Sequence, residues 1–383
     1  MARPIYLDYA AATPLDKRVF SVMGPYLSEH FYNPSALYSP AHHVRTAYEQ
    51  ARHDIAGSIG AKQYEIILTA GATESINLAI HGVMSRLGGH IVSTGIEHHA
   101  VLETVRQYEH TFAEVSPQGL VTADSLRRAI TPETTLVTIG YINNELGTVQ
   151  PLRDLVSVVE VERERRLTAG STTPVYIHTD ASQAAGLLDI AVSRLGVDMM
   201  TLNAAKCYGP KQVGLLWVRS GIELKPILHG GQQERGLRAG TENVAGAIGF
   251  AEALRLAQNE RKTESHRLMN LRNQLRRGLA DIPGIVVNGH AKRHAPHILH
   301  ISVPGLDGER AVYALDMAGV YVATGSACAA NNGTRSHVLT AVGMDASLAD
   351  GSLRISFGRL TTEDDIDLAA EIIRTSIAKE RTL

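Results

Sequence analysis

Cysteine, tryptophan and long apolar runs are scarce in this chain. Two cysteines among 383 residues cannot staple a fold of this size, and they offer no ligand set for an iron–sulfur cluster. A reducing cytoplasm is therefore the expected setting, which also suits a reactive thiol. No stretch is long and apolar enough to cross a bilayer, and no apolar segment flanked by basic residues opens the chain, so neither a membrane span nor a targeting segment is expected. Charge of one sign is lacking too. The 37 Lys+Arg and 39 Asp+Glu residues leave a net charge of -2, with no bulk field to draw nucleic acid or a membrane surface. No internal repeat or low-complexity segment appears. What remains, 44% hydrophobic and 20% charged, is ordinary for a globular protein, and the length favours two domains over one core.

The middle of the sequence alternates short apolar runs with helical stretches, the pattern of a mainly parallel sheet covered by helices. Strands are expected at 65–69, 90–94, 136–141, 174–179 and 197–202, with 213–218 as an antiparallel partner. Gly71-Ala72-Thr73 turns the first of these into a helix over 74–82. Each strand runs into a polar or glycine-containing turn, where an open α/β sheet holds its ligands. The charge run at 160–166 reads as a solvated helix face. Near residue 255 the character changes: a charged amphipathic helix over 264–279, a strand at 297–303, a helix over 310–318 and a strand at 353–357. Thr362 can cap the last helix, with Glu363, Asp364 and Asp365 well placed in its first turn. The expected architecture is α/β, with a large domain over 13–255 and a smaller α+β domain formed by 1–12 and 256–383.

The chemistry concentrates at two strand ends. Residues 176–183 read as a buried strand that ends in Asp180, and 198–206 as a second apolar strand that ends in Lys206. A carboxylate and an amine at the carboxyl ends of neighbouring strands suit pyridoxal 5'-phosphate. The lysine forms the Schiff base, and the aspartate keeps the ring nitrogen protonated so that the ring acts as an electron sink. Gly71-Ala72-Thr73 offers backbone amides, a hydroxyl and a helix dipole to a phosphate dianion. Ala323-Thr324-Gly325-Ser326-Ala327-Cys328 adds a thiol in a small-residue loop, and attack on sulfur near neutral pH needs such a soft nucleophile. Cys207, beside Lys206, would point to the opposite face of its strand and reads as packing.

Further segments extend the pattern: Tyr6-Leu7-Asp8-Tyr9-Ala10-Ala11-Ala12-Thr13-Pro14, Asn33-Pro34-Ser35, Glu97-His98-His99, Asn143-Asn144-Glu145-Leu146-Gly147, Arg238-Ala239-Gly240-Thr241 and Arg354-Ile355-Ser356-Phe357-Gly358-Arg359. With them the chain resembles, over nearly its whole length, the cysteine desulfurases of the IscS/NifS type within the class V aminotransferase group. The resemblance implies PLP-dependent fold type I. It also implies conversion of L-cysteine to L-alanine, with the sulfur kept as a persulfide on Cys328 for iron–sulfur cluster assembly or tRNA thiolation. Lys206 then takes the α-proton, and His98 stacks over the pyridine ring and carries protons, while His99 stays an ordinary residue. Ala72, Thr73, Asn144, Gln183 and Asn203 contact the cofactor, Gln183 through an amide hydrogen bond to the phenolic oxygen. Thr241 reaches the phosphate of a neighbouring subunit, which implies a homodimer with composite sites. Arg354 grips the substrate carboxylate, assisted by Asn33. The sulfur passes to an acceptor such as an iron–sulfur scaffold protein.

The chain departs from this family at a few positions. Relatives commonly carry serine at the position of Asn203 and histidine at that of Ala205, both against the phosphate. Asn203 keeps an amide donor and Ala205 has none. An uncompensated charge-assisted bond is worth ~1.5–3 kcal/mol, so weaker cofactor retention is expected. Gln232 stands where many relatives have a glycine. The length of Ala329-Ala330-Asn331-Asn332-Gly333-Thr334-Arg335 fits the long-loop desulfurases that hand sulfur directly to a scaffold. Its alanines and asparagines replace the usual serines and threonines, which bears on the acceptor. Two rival readings stay open: a selenocysteine lyase or other class V enzyme, and a non-catalytic interaction protein with a decayed site.

Overall fold

The computed structural model describes residues 3–325 and 335–381. Its strands are β1 (Ile5–Tyr6), β2 (Ile66–Thr69), β3 (His90–Thr94), β4 (His110–Ala113), β5 (Thr134–Thr138), β6 (Tyr176–Asp180), β7 (Met199–Asn203), β8 (Gly214–Val218), β9 (Val286–Val287), β10 (Ile298–Ser302), β11 (Val320–Tyr321) and β12 (Ser352–Ser356). Seven of them form one sheet in the order β2-β8-β7-β6-β5-β3-β4. β3 to β7 run parallel, and β8 is antiparallel to both of its neighbours, β7 and β2. Alternate residues feed two cores. Ile66, Leu68, Met200, Leu202, Leu215 and Trp217 pack on one face, while Ile67, Met199, Leu216 and Val218 pack on the other. Burial on both faces explains why these strands read as unbroken apolar runs.

β2 is an edge strand, and its outer side is covered by charge rather than left open. Glu234 accepts from Leu68 N at 2.7 Å, while Arg52 and Arg235 donate to the Ile66 carbonyl at 3.0 and 2.7 Å. Glu234 and Arg235 adopt positive φ, 47° and 59°, to reach these positions.

A separate apolar cluster joins Ile5 and Leu7 to Leu268, Leu271, Leu299, Ile355 and Ile373. It packs beside the three-stranded sheet β12-β10-β9 and the pair β1-β11. A single helix, Val244–Gly278, runs through residue 255 and serves both regions, with Phe250 and Leu254 in the first core and Leu268 and Leu271 in this one. The last helix, Glu363–Glu380, starts on a reciprocal cap: Thr362 Oγ1 accepts from Asp365 N, and Asp365 Oδ2 accepts from Thr362 N. Among the described residues, no helix is long and apolar enough to cross a membrane.

The helix expected over 264–279 is the second half of Val244–Gly278, the strand expected at 136–141 is Thr134–Thr138, and further sequence expectations change. Lys206 is not on a strand, because Asn203 Oδ1 accepts from Ala205 N at 3.1 Å and turns the chain into a 3-10 helix over Ala204–Lys206. The charge run is not wholly solvated. Arg166 is buried and donates to the carbonyls of Thr134 and Thr131, and Arg163 pairs with Asp198. The helix expected from residue 74 spans Ala72–Leu87, so it begins directly after Gly71.

Candidate active site

The carboxyl ends of the parallel strands converge on a cavity of about 330 Å³. Ala72, Thr73, His98, Asn144, Asp180, Gln183, Asn203, Lys206 and Arg354 all line it. One wall is the start of helix Ala72–Leu87, whose N-cap, Gly71, has φ +133° and provides no side-chain cap. Gly214 lets β8 approach this turn, since a Cβ there would lie 2.6 Å from the Gly71 carbonyl carbon. First-turn amides and the dipole of a four-turn helix therefore face the space, the arrangement that binds anions.

Asp180 closes β6. Its Oδ1 accepts from both Ser182 N and Ser182 Oγ, at 2.9 and 2.6 Å, which fixes the carboxylate plane. Beneath it His178 is fully buried, tied to Thr138 and Thr201 at 2.9 Å each. Burial brings its pKa down to about 4. Lys206 Nζ donates to the carbonyls of Ala10 and Ala11 at 2.8 and 2.5 Å, so the segment after β1 holds the amine at the cavity.

His98 caps helix His99–Val105 through Nδ1, which accepts from Ala100 N at 3.1 Å. The neutral ring therefore carries its proton on Nε2. Burial lowers its pKa, Asp180 opposes that shift and Lys206 adds to it. Beside it Glu97 accepts from Thr94 Oγ1 at 2.7 Å and from Gly140 N at 2.9 Å. Burial pushes this carboxyl up to about 7.

Arg354, at the centre of β12, is 1% exposed. Nη2 pairs with Asp8 at 2.7 Å, Nη1 donates to the Asn144 carbonyl at 3.1 Å, and Nε is buried without a partner among the described residues. Gln183 Nε2 donates to the Ala10 carbonyl at 2.9 Å. Asn203 spends its Oδ1 on Ala205 N, which leaves its amide NH2 as the donor toward the cavity.

Two expected residues lie elsewhere in the chain. Asn33 is exposed and accepts from Ser35 N through its own side chain, outside the cavity lining. Thr241 is exposed in a separate depression with Gln212, Arg238 and Glu242. Cys328 falls outside the described residues. Cys207 is buried, its thiol directed at the Ala204 carbonyl and pushed up to about 12 by desolvation. Glu97 and Ser182 line the cavity although no site role was read for them from sequence. The only signal for Glu97 was an acid placed between an apolar strand and two histidines.

The sequence profile described as Aminotransferase class-V matches residues 5–368. The chain belongs to the class-V aminotransferase family. A cysteine desulfurase IscS from Dictyoglomus turgidum is 41% identical to this class-V aminotransferase over 392 residues, covering 100% of the chain and 97% of that protein. Among solved structures, a NifS-like protein superposes with a TM-score of 0.90 at 31% identity, covering 98% of this chain and 100% of its own. SspA in complex with cysteine matches with a TM-score of 0.79 at 34% identity, covering 92% and 98% of the two chains. This family membership and the α/β architecture agree with the resemblance read from the motifs.

Proposed function

We propose that the chain is a pyridoxal 5'-phosphate-dependent cysteine desulfurase that converts L-cysteine to L-alanine and takes the sulfur as a persulfide on Cys328. One observation carries this reading: an amine, a carboxylate, an imidazole and an uncapped helix N-terminus meet in one cavity. These residues fit the cofactor. The amides before Ala72 and Thr73 suit its phosphate, Asp180 its ring nitrogen, the flat ring of His98 its face, and the Gln183 amide its phenolic oxygen. Asn144 and the Asn203 amide complete the contacts. Ala205 supplies no side-chain donor, which supports weak retention. When bound, the cofactor supplies an electron sink for bonds broken at the substrate α-carbon.

The protein residues do the rest. The Ala10 and Ala11 carbonyls orient Lys206 Nζ, the group that would take the α-proton. His98, whose Nε2–H lies at the same cavity, would hold or move a proton there. Arg354, already braced by Asp8 and Asn144, offers its remaining N–H donors to the substrate carboxylate and so fixes the α-carbon. The Cys328 thiolate attacks the substrate sulfur. An S–S bond forms, the C–S bond breaks, its electron pair goes to the carbon skeleton, and protonation there gives alanine.

The outer reading follows the resemblance of the sequence motifs: a homodimer in which the exposed Thr241 serves the neighbouring site, an iron–sulfur scaffold or tRNA-thiolation relay as sulfur acceptor, and a cytoplasmic setting. We take 13–255 and 1–12 with 256–383 as the two domains: Ile5 and Leu7 share the second apolar cluster with Leu268, Leu299 and Ile355, while Leu256, Ala257 and Ala295 still pack with the first. The test is alanine and sulfide release from L-cysteine with reductant. Loaded wild type should form both, and Lys206→Ala and Cys328→Ala should form neither. Equal activity in wild type and Cys328→Ala would instead favour lyase chemistry.

A further inference from the structure

We propose that His297 is a positioning residue that fixes the amide of Gln183, so that an N–H and not the carbonyl oxygen faces the cofactor's phenolic oxygen. The proposal rests on the cofactor reading above and adds a residue to it.

His297 sits just before β10 and is 4% exposed. Its Nε2 lies 3.2 Å from Gln183 Oε1, and the other end of that amide, Nε2, lies 2.9 Å from the Ala10 carbonyl. A glutamine amide can be turned over with almost no change of shape, so its neighbours must choose its orientation. The Ala10 carbonyl is an acceptor and requires an N–H. Turning the amide over would set two oxygens against each other there. With the Gln183 oxygen on the His297 side, His297 Nε2 must carry the proton. Nδ1 is then a bare lone pair, and it is the His297 atom without a partner among the described residues. The opposite tautomer would bury an unpaired N–H and turn a lone pair toward the Gln183 oxygen.

The donor is constant across working pH. Burial first, then the Arg354 and Lys206 charges, bring the imidazole down to about 3, so it stays neutral. The Ala10 carbonyl that orders Gln183 also accepts from Lys206 Nζ, so a continuous set of bonds joins His297, Gln183, Ala10 and Lys206. Ala10 uses one hydrogen of the Gln183 NH2. The other faces the cavity that Gln183 lines, together with the ionisable side chains of Glu97, His98, Asp180, Lys206 and Arg354.

An N–H directed at a phenolate spreads its charge and loosens the neighbouring imine proton. Loss of that orientation should therefore raise the pH at which the bound cofactor's visible absorption changes. His297→Phe keeps the ring volume and removes the donor. Its absorption midpoint should rise by up to about one pH unit, and its cofactor should dissociate more readily. His297→Gln returns an N–H at similar reach and should recover both values. In a Gln183→Leu background, His297→Phe should change neither. A folded His297→Phe protein with the wild-type midpoint overturns the proposal, as does a shift that persists in the Gln183→Leu background. If His297→Phe unfolds by circular dichroism, His297→Leu makes the same comparison. The titration needs bound cofactor but no turnover. Wild type that titrates yet forms no alanine from L-cysteine therefore defeats the desulfurase reading alone, whereas wild type that binds no pyridoxal phosphate defeats both.

Discussion

Replacing Glu97 by glutamine should stabilise the protein at alkaline pH and leave it nearly unchanged in mild acid. The carboxyl is buried, Thr94 and Gly140 donate to its two oxygens, and Asp180 adds a repulsive negative charge. Burial raises its pKa from 4.5 to about 7. Between those values the folded protein holds a proton that the unfolded chain has released, so stability falls as pH rises through that window. At 1.36 kcal/mol per pKa unit, the loss above pH 7 amounts to ~3 kcal/mol. Glutamine fits the same place: its carbonyl accepts from Gly140 N, and its NH2 donates to the Thr94 hydroxyl, which rotates to receive it. Urea unfolding of cofactor-free wild type and Glu97→Gln at several pH values checks this. The two proteins should nearly coincide at about pH 4 and differ by ~3 kcal/mol at about pH 8, with the variant more stable. Parallel curves, with a difference independent of pH, would refute the assignment of a raised carboxyl at Glu97.

Other perturbations separate substrate binding, packing and thiol chemistry. Arg354→Lys keeps a cation but loses the planar donor set, and one charge-assisted bond of ~1.5–3 kcal/mol corresponds to a roughly 10- to 150-fold fall in kcat/KM for L-cysteine. Steady-state kinetics at unchanged cofactor absorbance measures it. Glu234→Ala removes the buried carboxylate shared by Arg52, Tyr48 and the Leu68 amide and leaves Arg52, whose side chain is 8% exposed, only the half-exposed Glu49 as an ionic partner; denaturant unfolding should record a loss of ~3–5 kcal/mol. Cys207→Ala should leave alanine formation intact, and native Cys207 should resist iodoacetamide, because burial keeps its thiol protonated.

The sequence made the sheet and the polar groups of the cavity legible because both depend on local pattern. One apolar strand ended where Asp180 stands, Gly71 marked a helix start, and Thr362 with Asp365 marked another. Long-range pairings were not legible. Nothing local to Glu234 indicates that Arg52, Tyr48 and the Leu68 amide converge on its carboxylate. Arg166 looked like one charge in a solvated run until the Thr131 and Thr134 carbonyls came within its reach. His297 gave no signal either, since its meaning depends on which way an amide 114 residues away is turned. The 3-10 turn at Lys206 was hidden because Asn203 was read for its cofactor contact and not for the cap it provides.

Mass spectrometry of the Cys328 peptide after one turnover with L-cysteine shows whether this thiol takes the substrate sulfur. Cys328 should carry the mass of one extra sulfur atom, lost on treatment with reductant, alongside one equivalent of alanine. Alanine formed with no sulfur on Cys328, or with the sulfur found on Cys207, would contradict it.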